Sequence, residues 1–302
     1  MSGALPFVRG SGRTEIAAAL ELLKPITWFA PMWAFGCGVV SSGAPLASRW
    51  GLALAGVALA GPLVCGTSQA VNDWFDRDVD AINEPGRPIP SGRLPGRMGL
   101  AIAIGWTAVS LLVAALLGGW AFPAAVFGML LAWAYSAPPT RLKRFGFWGN
   151  LACAACYEGL PWFTGAAIMS GGLPNGQILL AAGLYSVGAH GIMTLNDFKS
   201  VEGDTQMGIR SLPVMLGVDR AAALSCLVMA APQIVVIALL LAWGAPLYAC
   251  VIVLLLAAQF ALMPRLLRAP RQQAPWYNAT GTSLYVFGML ATAFALRAAG
   301  TL

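Results

Sequence analysis

The chain has 302 residues, of which 58% are hydrophobic and only 10% are charged, and its mean hydropathy is +0.73. Soluble domains carry about 25% charged residues, so this composition excludes an ordinary soluble protein and predicts an all-α polytopic membrane protein. The formal net charge is +6. We attribute it to basic loops beside the lipid bilayer and expect no nucleic acid as a partner, because the sequence contains no nucleic-acid-binding module.

The first 25 residues are predicted to form a cytoplasmic N-terminal arm. They lack the short apolar run and the small-residue cleavage site of a signal peptide, and they carry Arg9, Arg13 and Lys24. Residues 26–302 are predicted to form a single transmembrane domain.

Nine apolar stretches follow in chain order, each close to the roughly 20 residues that a membrane-spanning helix needs. They cover residues 26–44, 51–71, 98–118, 120–136, 148–170, 177–196, 221–243, 245–264 and 281–299. The sequence therefore predicts nine transmembrane helices.

The distribution of basic residues predicts the orientation of these helices. Of the 18 Lys and Arg residues, all but Arg49 and Arg297 fall on the side of the N-terminal arm and the even-numbered loops. Because positive charge is retained in the cytoplasm, we expect that side to be cytoplasmic and the C-terminus to lie on the opposite side. Of the 12 acidic residues, all but Glu158 share the cytoplasmic side, so we expect the chemistry there.

Two acidic segments stand at the ends of apolar stretches. Residues 72–80 read NDWFDRDVD, and residues 196–204 read NDFKSVEGD. Asn196, Asp197 and Asp204 of the second segment align with Asn72, Asp73 and Asp80 of the first. Four predicted spans separate the segments, and an even number returns the chain to the same face of the membrane, where the two segments can meet.

The first segment has the spacing of a cation site. Asn72, Asp73, Asp76 and Asp80 are one, three and four residues apart, and residues three and four apart share a helix face. Oxygen ligands without His or Cys suit Mg²⁺ or Ca²⁺, and nearby basic residues suit phosphate oxygens. The pattern predicts a cation site for a diphosphate with an apolar tail. The alternative is a solvated acidic loop balanced by its basic neighbours.

At these residues the sequence resembles the UbiA-type intramembrane prenyltransferases. Their signature NDxxDxxxD is matched by Asn72, Asp73, Asp76 and Asp80, and their second Asp-rich motif by Asp197 and Asp204. The resemblance covers nearly the whole chain. It implies nine transmembrane helices around a central cavity. It also implies that these six residues are catalytic and that they bind two Mg²⁺ ions, which bridge the diphosphate.

Within that superfamily the chain is most similar to the branch that makes bacteriochlorophyll and chlorophyll. The stretches that carry this similarity are LLKPITWFAPMWAFGCGVVSSG (22–43), NDWFDRDVDAINEPGRPIPSGR (72–93), AYSAPPTRLKR (134–144), YEGLPW (157–162) and LNDFKSVEGDTQMGIRSLPVMLG (195–217). They imply an enzyme that transfers a geranylgeranyl or phytyl group from its diphosphate to the propionate of bacteriochlorophyllide a. Chlorophyllide a is the alternative acceptor, and a quinone precursor or haem the more distant one.

Basic, aromatic and polar residues near the acidic segments or inside a span are expected to bind the substrate. The expected substrate-binding residues are Arg87, Arg93, Tyr135, Arg141, Lys143, Arg144, Glu158, Asn196, Lys199 and Arg210. The expected location is the inner or intracytoplasmic photosynthetic membrane of a bacterium. Arg265, Arg268 and Arg271 are interpreted as a lipid-facing basic cluster, with contact to other pigment-synthesis proteins as the alternative.

Two polar residues lie inside predicted spans. Glu158 is interpreted as a functional residue, because a carboxylate in a membrane is costly; it could hydrogen-bond the substrate, pair with a cation or be protonated and structural. His190, the only histidine, is interpreted as a satisfied interior residue, with a ligand to the pigment's magnesium as the alternative. A transporter would need polar residues in several spans, and a non-catalytic pigment-binding protein would not explain the paired acidic segments.

Overall fold

The computed structural model describes residues 12–299. The first 11 residues of the predicted N-terminal arm, with Arg9, and the last three residues of the C-terminus lie outside the described residues. Fourteen α-helices make up most of the described chain. They are α1 Gly12–Leu22, α2 Phe29–Ser41, α3 Leu46–Ala58, α4 Gly66–Asn83, α5 Met98–Leu117, α6 Ala121–Ser136, α7 Gly146–Ala154, α8 Leu160–Ser170, α9 Gly176–Asp197, α10 Val201–Gln206, α11 Leu212–Leu216, α12 Val218–Ala242, α13 Pro246–Arg268 and α14 Pro270–Ala299.

Two π-helical segments join helices into longer rods. Leu59–Cys65 connects α3 to α4 and contains Pro62, and Ala155–Gly159 connects α7 to α8. A proline inside a helix removes one backbone hydrogen bond and collides with the preceding turn, so the wider π turn accommodates Pro62. Such single-turn π segments are frequent at functional sites.

Six helical rods in the described part of the chain are long and apolar enough to cross a membrane. They are Leu46–Asn83, Met98–Leu117, Gly176–Asp197, Val218–Ala242, Pro246–Arg268 and Pro270–Ala299. Phe29–Ser41 and Ala121–Ser136 are apolar but shorter, and the rod over residues 146–170 is not among these six. The all-helical membrane fold is confirmed, whereas the count of nine spans stays a prediction.

Small residues bring α2 and α8 into close contact. A Cβ atom on Gly38 of α2 would lie 2.8 Å from the backbone nitrogen of Ala166 and 3.0 Å from the Cα atom of Gly165, both in α8. Membrane helices commonly use such glycines for close backbone approach. Beside this contact, Trp162 of α8 stacks on Tyr185 of α9 in the hydrophobic core.

A short backbone bridge joins two polar loops at one end of the bundle. The N–H of Gly146 donates to the carbonyl oxygen of Arg210 at 2.9 Å, and the N–H of Arg210 donates to the carbonyl oxygen of Arg144 at 3.0 Å. A Cβ atom on Gly146 would lie 2.6–2.7 Å from backbone atoms of residues 210–212. The bridge therefore holds the basic loop before α7 against the loop that follows α10.

Candidate active site

The first acidic segment lies on α4, as the spacing predicts. The Asn72 side-chain amide donates to Oδ2 of Asp76 at 3.0 Å, which is the contact expected for residues four apart on a helix. Asp73 and Asp80 are 2% and 7% exposed, whereas Asp78 is exposed. The helix therefore buries Asp73 and Asp80 and leaves Asp78, which is not part of the signature, facing solvent.

Two basic residues neutralise Asp73 and Asp80. Lys24 Nζ lies 2.7 Å from Oδ1 of Asp73, and Arg87 Nη1 lies 3.3 Å from the same oxygen and 2.8 Å from Oδ2 of Asp80. Arg87 also pairs with Glu84 through Nε, and the hydrogen bond from Arg87 lowers the pKa of the Glu84 carboxyl. Arg87 thus connects three carboxylates.

A second basic pair holds Asp76. Arg141 Nη2 lies 3.1 Å from Oδ1 of Asp76, and Lys143 Nζ pairs with the same oxygen. Burial lowers the pKa of the Lys143 ammonium group, and the Asp76 carboxylate opposes that shift. The loop before α7 therefore delivers two positive charges to the signature helix.

Lys24 and Arg141 share an unusual backbone conformation. Among the described residues they are the only non-glycine residues with positive φ, at 47° and 38°. The left-handed region is unfavourable for a residue with a Cβ atom, and such strain is concentrated at functional sites. In both cases the strained residue places its cation on a signature aspartate.

The second acidic segment faces the first. Asp197 ends α9, and its Oδ2 accepts a hydrogen bond from the Asn150 side-chain amide at 2.9 Å. Asp204 lies on α10, and burial raises the pKa of its carboxyl. Asn196, one residue before Asp197, is exposed and accepts a hydrogen bond from Asn278 of α14 at 2.8 Å.

Both acidic segments line one cavity of about 490 Å³, here called the polar cavity. Its walls include residues from both motifs and from the basic loop, among them Asp76, Asp80, Arg141, Lys143, Asp197, Lys199 and Asp204. The predicted meeting of the two segments therefore occurs in the structure.

A larger cavity of about 670 Å³, here called the central cavity, adjoins the polar cavity. Tyr135, Asn150, Asp197 and Lys199 line both of them. The other walls of the central cavity are mainly apolar and come from α2, α4, α6, α7, α9 and α14, with Glu158 from the π segment. The arrangement offers a charged mouth that leads into an apolar chamber.

The donor atoms of the acidic segments fit a hard divalent cation. Carboxylate and amide oxygens are the ligands of Mg²⁺, and the buried Oδ2 atom of Asp73 has no hydrogen-bond partner. Within the described residues, however, no three His, Cys, Asp or Glu side chains are grouped as ligands of one ion. In this arrangement the cations nearest the carboxylates of α4 are lysine and arginine side chains, and the predicted six-residue ligand set stays a prediction.

Three of the predicted substrate-binding residues are less directly engaged. Arg93 is exposed and pairs with both carboxylate oxygens of Glu21 in α1, at 2.6 and 2.8 Å. The exposed Arg144 and Arg210 meet through their backbones at the loop bridge. The assignment of these three side chains to the substrate site stays a prediction.

Three polar residues of the site were missed by the sequence analysis as site residues. Lys24 was assigned only to the arm, although its position immediately before Pro25 and the first apolar stretch was a usable signal. Asn150 was an isolated amide near the start of a predicted span. Asn278 gave no signal, because it precedes the predicted last span, which in the structure begins earlier, at Pro270.

The chain is similar to known proteins in sequence and in fold. Residues 27–296 match the model of the UbiA prenyltransferase family. The chain is 60% identical to "Bacteriochlorophyll synthase 33 kDa chain" of Cereibacter sphaeroides over 94% of each protein. It is 37% identical to "Chlorophyll synthase, chloroplastic" of Oryza sativa over 91% of this chain and 76% of that one.

Among solved structures, a UbiA homolog from Archaeoglobus fulgidus bound to DMAPP and Mg²⁺ superposes with a TM-score of 0.70. The two chains are 20% identical, and the match covers 90% of this chain and 98% of the other. At that identity the likeness establishes the fold.

Proposed function

The chain belongs to the UbiA prenyltransferase family, and from that membership we propose that it is a bacteriochlorophyll synthase. In this proposal it esterifies the propionate of bacteriochlorophyllide a with a geranylgeranyl or phytyl group and releases diphosphate. The 60% identity to a bacteriochlorophyll synthase along nearly the whole chain supports this acceptor over chlorophyllide a, whose synthases are more distant at 37%. Quinone or haem acceptors are the remaining alternative.

One structural observation carries the proposal. The charged polar cavity opens into the larger, mainly apolar central cavity, and the two share four wall residues. A prenyl diphosphate has the same division into a charged head and an apolar tail. The head belongs among the carboxylates and basic side chains, and the tail and the pigment belong in the apolar chamber.

The acidic segments would hold Mg²⁺ against the diphosphate. Asn72, Asp73, Asp76 and Asp80 would supply oxygen ligands from α4, and Asp197 and Asp204 would supply them from the opposite wall. When bound, Mg²⁺ supplies Lewis acidity that stabilises the charge on the departing diphosphate. We propose two ions, because the ligands come from two separate walls.

The basic residues would exchange partners when the substrate binds. In the structure Lys24 and Arg87 neutralise Asp73 and Asp80, and Arg141 and Lys143 neutralise Asp76. With the carboxylates neutralised by bound cations, Lys24, Arg87, Arg141 and Lys143 would be free to donate hydrogen bonds to diphosphate oxygens. The basic side chains would then stabilise the negative charge that develops on the leaving group.

The acceptor needs no general base at this site. Its propionate is already an anion, so the carboxylate oxygen can attack the allylic carbon as the carbon–oxygen bond to diphosphate breaks. The apolar walls of the central cavity keep water away from the reacting carbon. Tyr135 lines both cavities, and its aromatic ring would stabilise the developing positive charge by a cation–π contact.

The membrane arrangement is part of the proposal. Nine spans would be formed if the shorter apolar helices α2 and α6 and the rod over residues 146–170 cross with the six long rods. The excess of Lys and Arg on one side supports a cytoplasmic position for the polar cavity, in the inner or intracytoplasmic membrane of a phototrophic bacterium.

The test uses membranes that contain the full chain, with an Asp73→Asn variant as control. Bacteriochlorophyllide a, geranylgeranyl diphosphate and Mg²⁺ are supplied, and esterified pigment is followed by reversed-phase chromatography. We expect a more retained product that requires Mg²⁺ and Asp73. A product from chlorophyllide a alone would move the assignment to the chlorophyll branch. Prenyl diphosphate binding without product from either pigment would move it to a quinone or haem acceptor.

A further inference from the structure

Glu158 is a buried carboxyl group that has no role in the scheme above. It lies in the π segment Ala155–Gly159, is 3% exposed and lines the central cavity. Its Oε2 atom has no hydrogen-bond partner. Leaving a buried polar group unsatisfied is costly, so the position points to a partner that arrives with a ligand.

The surroundings of Glu158 determine which partner it can take. Of the described residues that line the central cavity, Lys199 is the only basic one, and it also lines the polar cavity at the mouth. Asn150, which binds Asp197 at that mouth, precedes Glu158 by eight residues on the same rod, or about 12 Å of helical rise. An ionised carboxylate far from any cation is strongly disfavoured in an apolar interior. Glu158 is therefore neutral and offers one O–H donor.

We propose that Glu158 binds the acceptor pigment, with its neutral carboxyl group donating a hydrogen bond to a carbonyl oxygen on the macrocycle. This inference rests on the proposed function. A prenyl chain has no hydrogen-bond acceptor, and a neutral carboxyl group is a poor ligand for the pigment's magnesium. A macrocycle whose propionate reaches the mouth would extend into the chamber toward Glu158, and its ring carbonyl groups are the acceptors available there.

Two possible carbonyl groups can be separated by the choice of pigment. Bacteriochlorophyllide a carries a ring ketone and an acetyl group, whereas chlorophyllide a carries the same ketone with a vinyl group in place of the acetyl. A contact to the ketone serves both pigments equally. A contact to the acetyl group would favour bacteriochlorophyllide a and would make Glu158 a residue that selects the acceptor.

The test compares Glu158→Gln and Glu158→Leu in the detergent-solubilised full chain. Gln keeps a neutral donor of similar shape, and Leu removes it. Pigment affinity is measured by fluorescence titration without prenyl diphosphate, and carbonyl stretching frequencies of the bound pigment are recorded by resonance Raman spectroscopy. Glu15→Leu, on α1 outside both cavities, is the control.

We expect Glu158→Leu to weaken pigment binding about tenfold, as for the loss of one buried hydrogen bond, and to raise one carbonyl stretching frequency. We expect Glu158→Gln to bind within about threefold of the wild type and to keep a lowered carbonyl frequency. Affinity for geranylgeranyl diphosphate should not change in either variant.

Two results would overturn the inference. Unchanged pigment affinity and carbonyl frequencies in Glu158→Leu would leave Glu158 with a structural role. Equal weakening in both variants would mean that a carboxylate is required, as for a ligand to magnesium. Failure of the proposed function would look different, because wild-type protein would then form no esterified pigment.

Discussion

Arg87 and Arg93 form a matched pair in which only one arginine is expected to support the site. Both were predicted to bind substrate, and both pair with carboxylates. Arg87 connects Asp73 and Asp80 on α4, whereas Arg93 pairs with Glu21 on the outer surface. We predict that Arg87→Met is much more damaging to stability and catalysis than Arg93→Met.

The magnitudes follow from burial. Asp80 is 7% exposed, and removing the partner of a buried ion costs about 3–5 kcal/mol in free energy of unfolding. Arg87 is 24% exposed at its side chain, so we take the lower limit, about 3 kcal/mol. The side chains of Arg93 and Glu21 are 40% and 48% exposed, and such surface pairs contribute at most about 1 kcal/mol.

The assay is a double-mutant cycle. Arg87→Met and Asp80→Asn are combined and compared with Arg93→Met and Glu21→Gln, and the free energy of unfolding is measured by SDS titration in mixed micelles. We expect a coupling energy of at least about 1.5 kcal/mol for the first pair and below about 1 kcal/mol for the second. In kinetic assays, loss of a charged hydrogen bond to diphosphate should lower kcat/KM of Arg87→Met at least about tenfold.

Equal losses of the free energy of unfolding in Arg87→Met and Arg93→Met would refute this reasoning. A coupling energy below about 0.5 kcal/mol between Arg87 and Asp80 would also do so, since distant independent substitutions are additive within that limit. Either result would mean that burial of the α4 carboxylates does not make their ion pairs important.

Three further predictions concern the same end of the bundle. Lys24→Met should lower kcat/KM for the prenyl diphosphate about tenfold, because Arg87 is then the only basic residue paired with Asp73. Unchanged steady-state kinetics would contradict this. Gly146→Ala should lower the melting temperature and the activity, because its methyl group meets backbone atoms of residues 210–212. The control Gly105→Ala, at an exposed position of α5 where a Cβ atom meets nothing within 4 Å, should lower neither. Chelation with EDTA should abolish esterification and added Mg²⁺ should restore it, and turnover that persists in EDTA would remove the metal from the proposal.

Much of the fold follows from local patterns. Low charge and long apolar stretches predict membrane helices, and the structure is all-helical in its described part. The spacing of Asn72, Asp73, Asp76 and Asp80 predicts a helical stripe, and the hydrogen bond between Asn72 and Asp76 lies on that stripe. Hydropathy is less decisive for the number of spans, because α2 and α6 are apolar but shorter than the six long rods.

The even number of predicted spans between the acidic segments predicts that they meet, and both segments line the polar cavity. It could not show what would surround them. The sequence suggested carboxylates gathered for metal, whereas the structure pairs Asp73 with Lys24 from 49 residues away and Asp76 with Lys143 from 67 residues away. Pairings of this kind depend on how helices pack, which a local pattern does not encode.

The sequence by itself determined the membrane setting, the helical class, the family resemblance and the two acidic segments, because each depends on composition or on residues close together in the chain. Tertiary structure decided which cations meet which carboxylates, and it placed Arg93 on Glu21 instead of in the polar cavity. It also left the buried Oε2 atom of Glu158 without a hydrogen-bond partner beside the central cavity. These features arise from side chains on different helices, whose distances are fixed only when the rods pack together.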